Sequence, residues 1–156
     1  MGRIDYLNDP NAPPANSIVP SVTTIVTDGD GALLMVHRTD NDLWSIPGGA
    51  MDLGESIAHA AMRETKEETG LDVEVTGIVG IYTNPRHVMA YDDGEVRQQF
   101  SVCFTTRLLG GQLRTSTETS KVQFVQRSDL DGLNIHPSIR LRIQHYLEAR
   151  PAPYIG

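Results

Sequence analysis

The sequence predicts an α/β sandwich built on mixed sheets. Two observations carry that expectation. Segments rich in Val, Ile and Thr, with a period near two, stand on both sides of one segment whose period is near 3.6. A second helical segment then closes the chain, so that helices are available to cover a central sheet. The chain has 156 residues, 39% of them hydrophobic and 21% charged, which suits one compact domain with its own core. We expect an irregular N-terminal arm over residues 1–17, a single domain over 18–150 and a tail over 151–156.

The arm is rich in Asn, Pro and Asp and shows no apolar period. From Ile18 to Thr27 and from Ala32 to His37 the residues are strand-like, and Asp28-Gly29-Asp30-Gly31 between them reads as the turn of a β-hairpin. That turn superficially resembles a calcium loop. The third ligand position would be Ala32, however, and no Glu closes the loop, so a plain turn is the better reading. After the bend Trp44-Ser45-Ile46-Pro47-Gly48-Gly49 a helix is expected up to Thr69, with Ser56 as its N-cap and Gly70 as its stop. Strands follow over Leu71–Thr83, Gln98–Leu109 and Lys121–Gln126. In the second, Phe100, Val102, Phe104 and Leu108 share one face, the alternation of a half-buried strand. Cys103 has the opposite parity and reads as a packed small residue. The acidic run Asp92-Asp93-Gly94-Glu95 reads as a hairpin tip. The last helix spans Pro137 to Ala149, with Ile139, Ile143, Tyr146 and Leu147 as its apolar stripe.

Composition restricts the function. The longest apolar run, Ala32 to Val36, is far short of the roughly 20 residues that cross a bilayer. The N-terminal residues lack the basic start and apolar run of a secretion signal, and Cys103, the single cysteine, has no internal disulfide partner; a cytoplasmic protein is expected. A net charge of −7 opposes binding to a nucleic-acid backbone or an anionic membrane. An anionic ligand would therefore need a screening metal.

The chemistry is concentrated between Gly49 and Leu71. Glu64, Glu67 and Glu68 are related by i, i+3 and i+4, so a helix places three carboxylates on one face. Like charges so close are unfavourable unless a cation neutralises them, and carboxylates without His or Cys favour a hard ion such as Mg²⁺ or Mn²⁺. Magnesium completes its shell with waters and phosphate, so a phosphate ester or anhydride is the expected ligand. A solvated acidic helix face is the competing reading. Two neighbours weigh against it: Gly48-Gly49 lets backbone approach a ligand closely, and Arg63 is within helical reach of Glu55 and Glu67.

Gly49, Glu55, Arg63, Glu64, Glu67, Glu68 and Gly70 together match the fixed positions of the Nudix box, and the chain resembles the Nudix (MutT-like) hydrolases. At average residue frequencies the coincidence is on the order of 10⁻⁸ per starting point. Thr65 departs from the pattern, standing where an aliphatic residue is usual and expected to pack by its methyl. The resemblance implies a Nudix-type α/β/α sandwich. It also implies divalent-metal-dependent hydrolysis of a nucleoside diphosphate linked to another moiety. It further implies that Glu64 and Glu68 are the main metal ligands, that Glu67 is a further ligand or activates water, and that the Gly48 carbonyl is a backbone ligand. Glu55 and Arg63 are implied as the pair fixing the loop to the helix. Several family members carry another Glu on a loop beyond the box, and here Glu118 is the candidate, as base or extra ligand.

Substrate choice lies outside the box. Arg38, Arg86 and Arg97 can grip phosphate, and Trp44, Tyr82 and His87 are further candidates, with Trp44 just before the loop favoured as a pocket wall. Pro85, fourteen residues after Leu71, nearly matches a proline of the ADP-ribose-cleaving members, and Tyr91 lies later than the tyrosine of the dinucleoside-polyphosphate members. The leading expectation is a pyrophosphatase for ADP-ribose or a related nucleotide sugar. The alternatives are a pyrophosphohydrolase for nucleoside triphosphates, oxidised ones included, and a non-catalytic nucleotide-sensing module. The acidic balance opposes an RNA-cap hydrolase. The arm allows exchange within a homodimer.

Overall fold

The fold, given by a computed structural model that describes residues 2–156, has three sheets and two helices. The strands are β1 (Arg3–Leu7), β2 (Ser17–Ile18), β3 (Ser21–Ile25), β4 (Leu33–Arg38), β5 (Trp44–Ser45) and β6 (Gly48–Ala50), then, beyond helix α1 (Ile57–Thr69), β7 (Leu71–Tyr82), β8 (His87–Tyr91), β9 (Val96–Gln98), β10 (Ser101–Gly111) and β11 (Thr119–Val125). A 3₁₀ turn over Arg127–Gly132 leads to α2 (Pro137–Leu147), and β12 (Tyr154–Ile155) ends the chain. The central sheet runs β12-β7-β10-β3-β6, flanked by β11-β4-β5 and by β1-β8-β9-β2. β10 pairs parallel with β3 and antiparallel with β7, which makes the sheet mixed.

Residue parity assigns the two faces of the middle layer. Val22, Val102 and Phe104 turn one way, onto Ala60 and Ala61 of α1. Ile25, Cys103, Val79 and Tyr82 turn the other way and meet Leu33 and Met35 of β4, Leu130 of the 3₁₀ turn and Ile143 of α2. The four-residue run Leu33–Val36 is buried on both faces of β4, because Leu34 joins Val26, Leu71 and Val73 on the α1 side. Layers of α1, sheet and α2 result. Among the described residues no helix is long and apolar enough to cross a membrane.

α1 begins and ends where capping chemistry places its limits. Ser56 accepts the His59 N–H at 3.1 Å, and Gly70 takes φ 82°, a left-handed conformation in which a Cβ would also run into the Gln112 carbonyl. Asp28 closes its turn by accepting the N–H groups of Asp30 and Ala32, both at 2.9 Å. Asp92–Glu95 forms the tip of the β8–β9 hairpin, with Tyr91 N–H on the Glu95 carbonyl.

Four expectations need correction. The N-terminal arm is not irregular throughout: β1 adds to β8, with Arg3 opposite Tyr91 and Leu7 opposite His87, and β2 adds to β9, while residues 8–16 between them form neither helix nor strand. At the other end of the chain the tail carries the short β12, with Tyr154 opposite Gly80 of β7. The hairpin around Asp28 is only a short neck, from Thr27–Leu33 to Leu34 N–H on Val26; beyond it β3 leaves for β6 and β10 while β4 pairs with β5 and β11. β10 is not half-buried along its length, because Cys103 is as enclosed as its neighbours in the first half of the strand, while the second half, Leu108 included, is exposed. Leu147 is also partly exposed; the buried stripe of α2 follows Ile139, Ile143 and Tyr146 and includes Arg142.

Candidate active site

β6, the edge strand of the central sheet, separates two differently charged regions. On its α1 side, Gly49 lies against Glu64 so closely that a Cβ would overlap the carboxylate. Arg63 gathers the surrounding acids. Its Nε and Nη2 grip Glu55 at 2.9 and 2.6 Å, Nη1 reaches Glu64 at 3.0 Å and Glu67 at 3.2 Å, and Nη2 also donates to the Ala50 carbonyl at 3.1 Å. The bidentate grip holds the Glu55 carboxyl well below the usual carboxylate range. Much of the repulsion among the glutamates is therefore relieved within the protein.

Glu68 is the exception. It is 4% exposed, and its carboxylate has one donor among the described residues, the Gly48 N–H at 3.2 Å. Burial pushes its carboxyl up to about 8, with Glu64 and Glu118 adding in the same direction. Burial likewise pushes Glu64 up to about 7, against the pull of Arg63. Two enclosed carboxyls that resist ionisation, with all-oxygen donors and a glycine loop beside them, fit a hard divalent cation.

Thr65 does more than pack its methyl. Fully buried, it donates to the Ala61 carbonyl at 2.8 Å and shares a 2.9 Å hydrogen bond with Thr24 of β3, tying α1 to the sheet one turn from Glu68. An aliphatic side chain would leave Thr24 without that partner. Glu118 lies in the exposed loop before β11, close enough to bear on both Glu64 and Glu68.

Across β6 a cavity opens between β3, β5, β8, β10 and α2. Trp44 lines it, set edge-on to His37 at 5.2 Å, as do Arg38, His87 and Arg97. Arg38 is already bound bidentately by Asp40, at 2.9 and 2.8 Å. Arg97 is held by Glu95 at 3.0 and 2.8 Å and lies over the Tyr91 ring at 4.6 Å. Arg86 is not at the site: with Pro85 it lines a separate groove along the arm, beside Pro10 and Pro13. Tyr82 is a core residue, hydrogen bonded to His145 at 2.9 Å. Cys103 is inert in this setting, its thiol pushed up to about 11 by burial.

Several cavity residues had not been singled out from the sequence. Asp5 of β1 bonds His87 Nε2 at 3.3 Å, and His136 stacks on His87 at 5.1 Å between ring centres. His136 Nδ1 accepts the Ser138 N–H at 3.1 Å as the N-cap of α2, so the neutral ring carries its proton on Nε2. Arg142 and Ser101 complete the inner wall. A charged residue inside the apolar stripe of α2 was the signal available for Arg142; nothing local marked the others.

The NUDIX domain family model matches residues 18–145. A MutT-like protein of Streptomyces ambofaciens is 34% identical over 123 residues, covering 77% of this chain and 72% of the relative. An ADP-ribose pyrophosphatase of Methanocaldococcus jannaschii is 28% identical over 111 residues, 69% of this chain and 62% of the relative. The crystal structure of an ADP-ribose pyrophosphatase from Streptococcus suis superimposes with a TM-score of 0.69 at 27% identity, covering 90% of this chain and 100% of that one.

Proposed function

The chain belongs to the NUDIX domain family and is a Nudix pyrophosphohydrolase, and from that premise we propose that it cleaves the diphosphate of a nucleotide sugar, ADP-ribose first among them, with Mg²⁺. The observation that carries the reading is Glu68: an enclosed carboxylate that forms no ion pair among the described residues, opposite a cavity large enough to be lined by strands of all three sheets. The M. jannaschii and S. suis relatives support ADP-ribose as the substrate.

In this reading Glu64 and Glu68, with Glu67 and the Gly48 carbonyl, would hold the cation. When bound, it would offset the charge of the diphosphate and lower the pKa of a water for attack on phosphorus. The protein's own residues prepare that event. Arg63 clamps Glu55 to the helix and aims Glu64 and Glu67, while Gly49 lets the Glu64 carboxylate sit directly against the loop. Glu118, on its exposed loop, would accept the proton of the attacking water. Trp44 walls the entrance, and Arg38 and Arg97 present paired guanidiniums to the phosphates.

Incubation with ADP-ribose, other nucleotide sugars and nucleoside triphosphates, with Mg²⁺ in ¹⁸O water, tests this directly. Mass spectra should show a nucleoside monophosphate and a sugar phosphate, one of them carrying the label. Intact nucleotide sugars beside cleaved triphosphates would replace the substrate; a Glu68→Gln variant as active as the parent would remove the assigned site.

A further inference from the structure

Arg142 is the one guanidinium of the cavity wall with no acid beside it. It is 3% exposed, forms no ion pair among the described residues, and reaches only the Thr23 hydroxyl, at 3.5 Å. Its Nε has no hydrogen-bond partner. The face of the Tyr82 ring lies 4.9 Å away and stabilises the charge in part. Such burial opposes the charged form, and burial does lower the Arg142 pKa. Ser101 lines the same cavity: 1% exposed, its hydroxyl is also without a partner among the described residues. Native proteins seldom leave two such groups unsatisfied in one place.

Strand register places this pair next to the reaction. Thr23, which touches Arg142, is opposite Gly48 in β6 on one side and Cys103 in β10 on the other, and Ser101 is two residues from Cys103 on the same face. Ser101 is therefore separated from the loop whose N–H holds Glu68 by β3 alone, the same strand that Arg142 touches through Thr23. His136 adds a third donor, because its Nδ1 is taken by the cap and only Nε2–H is free to face a ligand. That arrangement also argues against reading Asp5, His87 and His136 as a metal cage, since Nε2 would have to give up its proton while Nδ1 keeps the Ser138 N–H.

We propose that Arg142 and Ser101 are specificity-determining binding residues that hold an acceptor oxygen of the substrate, a base carbonyl or a phosphoryl oxygen, in the cavity behind β6. The inference rests on the hydrolase reading but concerns binding alone. It explains why an unpaired cation is kept inside the fold: the bound oxygen supplies the partner that the protein withholds.

The test compares the parent, Arg142→Met and Ser101→Ala with four ligands in the presence of Mg²⁺: GMP, UMP, AMP and ribose 5-phosphate. None has a diphosphate to cleave, so calorimetric affinity is independent of turnover. Methionine removes the uncompensated charge with little loss of volume, so the unliganded Arg142→Met protein should melt higher than the parent while binding about tenfold or more weakly. Ser101→Ala should weaken the same ligands in the same order, without lowering the melting temperature. Losses confined to GMP and UMP identify a base carbonyl; losses shared by AMP and ribose 5-phosphate identify a phosphoryl oxygen. Affinities within twofold of the parent for all four ligands in Ser101→Ala would overturn the proposal, even if Arg142→Met failed to fold. So would an Arg142→Met protein that melts lower and binds as the parent does. A parent that binds these ligands yet cleaves no nucleotide sugar would refute the substrate reading and leave this one standing.

Discussion

The two sides of β6 are each incomplete, in opposite senses. On the α1 side the protein has one carboxylate more than its own cations satisfy: Arg63 serves Glu55, Glu64 and Glu67, and Glu68 is left to a single backbone N–H. On the cavity side it has one guanidinium too many: Asp40 and Glu95 serve Arg38 and Arg97, and Arg142 has no acid. The Ser101 hydroxyl, in the same cavity wall, is also without a partner among the described residues. An enzyme that must place a cation and an oxygen-rich substrate on either side of one edge strand gains from leaving such groups open to a ligand. Since neither vacancy is stabilising in the free protein, each should be detectable as a stability deficit that its ligand reverses.

Removing the open carboxylate should have the largest effect. Glu68→Gln is nearly the same size, keeps an acceptor for the Gly48 N–H, and deletes the charge. The transition state would lose charge stabilisation worth several kcal/mol, so kcat should fall on the order of a thousandfold. The melting temperature of the metal-free variant should not fall. A kcat within tenfold of the parent would mean that the two sides do not differ as argued.

Disturbing the paired acids should act differently, on stability as well as rate. Arg63→Lys retains a charge but cannot fork between Glu55 Oε1 and Oε2 while also reaching Glu64 and Ala50. We expect a loss of about 1–3 kcal/mol in chemical denaturation, from a broken bidentate pair and a freed carbonyl. Unchanged stability with lowered kcat would show that Arg63 acts on the reaction only.

A third effect follows from the carboxyls of α1. Glu64 and Glu68 titrate near 7 and 8 in the fold, above the ordinary 4.5 of an unfolded chain. Between those values the folded state holds more protons than the unfolded one, so stability declines as pH rises. Metal-free protein should accordingly melt lower at pH 8 than at pH 5, and Mg²⁺ should remove most of the difference. Scanning calorimetry at several pH values decides it; a metal-free melting temperature that rises over this range would contradict the burial of both groups.

The contrast also explains what could be read from the sequence. The glutamate cluster was legible because its members lie within one helix, where spacing alone determines which side chains meet, and Ser56 and Gly70 mark the ends of that helix by local chemistry. The cavity was not, because its wall joins Asp5, Thr23, Ser101 and the His136–Arg142 stretch from four distant segments. The arm shows the same limit. Arg3–Leu7 has little strand character of its own and becomes β1 only because β8, more than eighty residues later, offers an open edge. β3 misled for a related reason: its alternation was right, but the turn at Asp28 suggested β4 as partner when β6 and β10 compete for the same edges. Arg86 and Arg97 looked equivalent as free arginines, and only the tertiary fold sends one to the cavity and the other to an outer groove.

The smallest predicted effect separates those two arginines from Arg142. Arg97 lines the cavity, but its charge is already committed to Glu95 and to the Tyr91 ring, so a ligand gains little from it. Arg97→Ala should therefore weaken product binding by about threefold, the worth of a partly screened, already paired charge. Arg86→Ala should change it by less than that. If Arg97→Ala matched Arg142→Met, pairing within the protein would not govern which cation serves the ligand. Nearness to the cavity alone would then suffice, and the unsatisfied state of Arg142 would have no functional meaning.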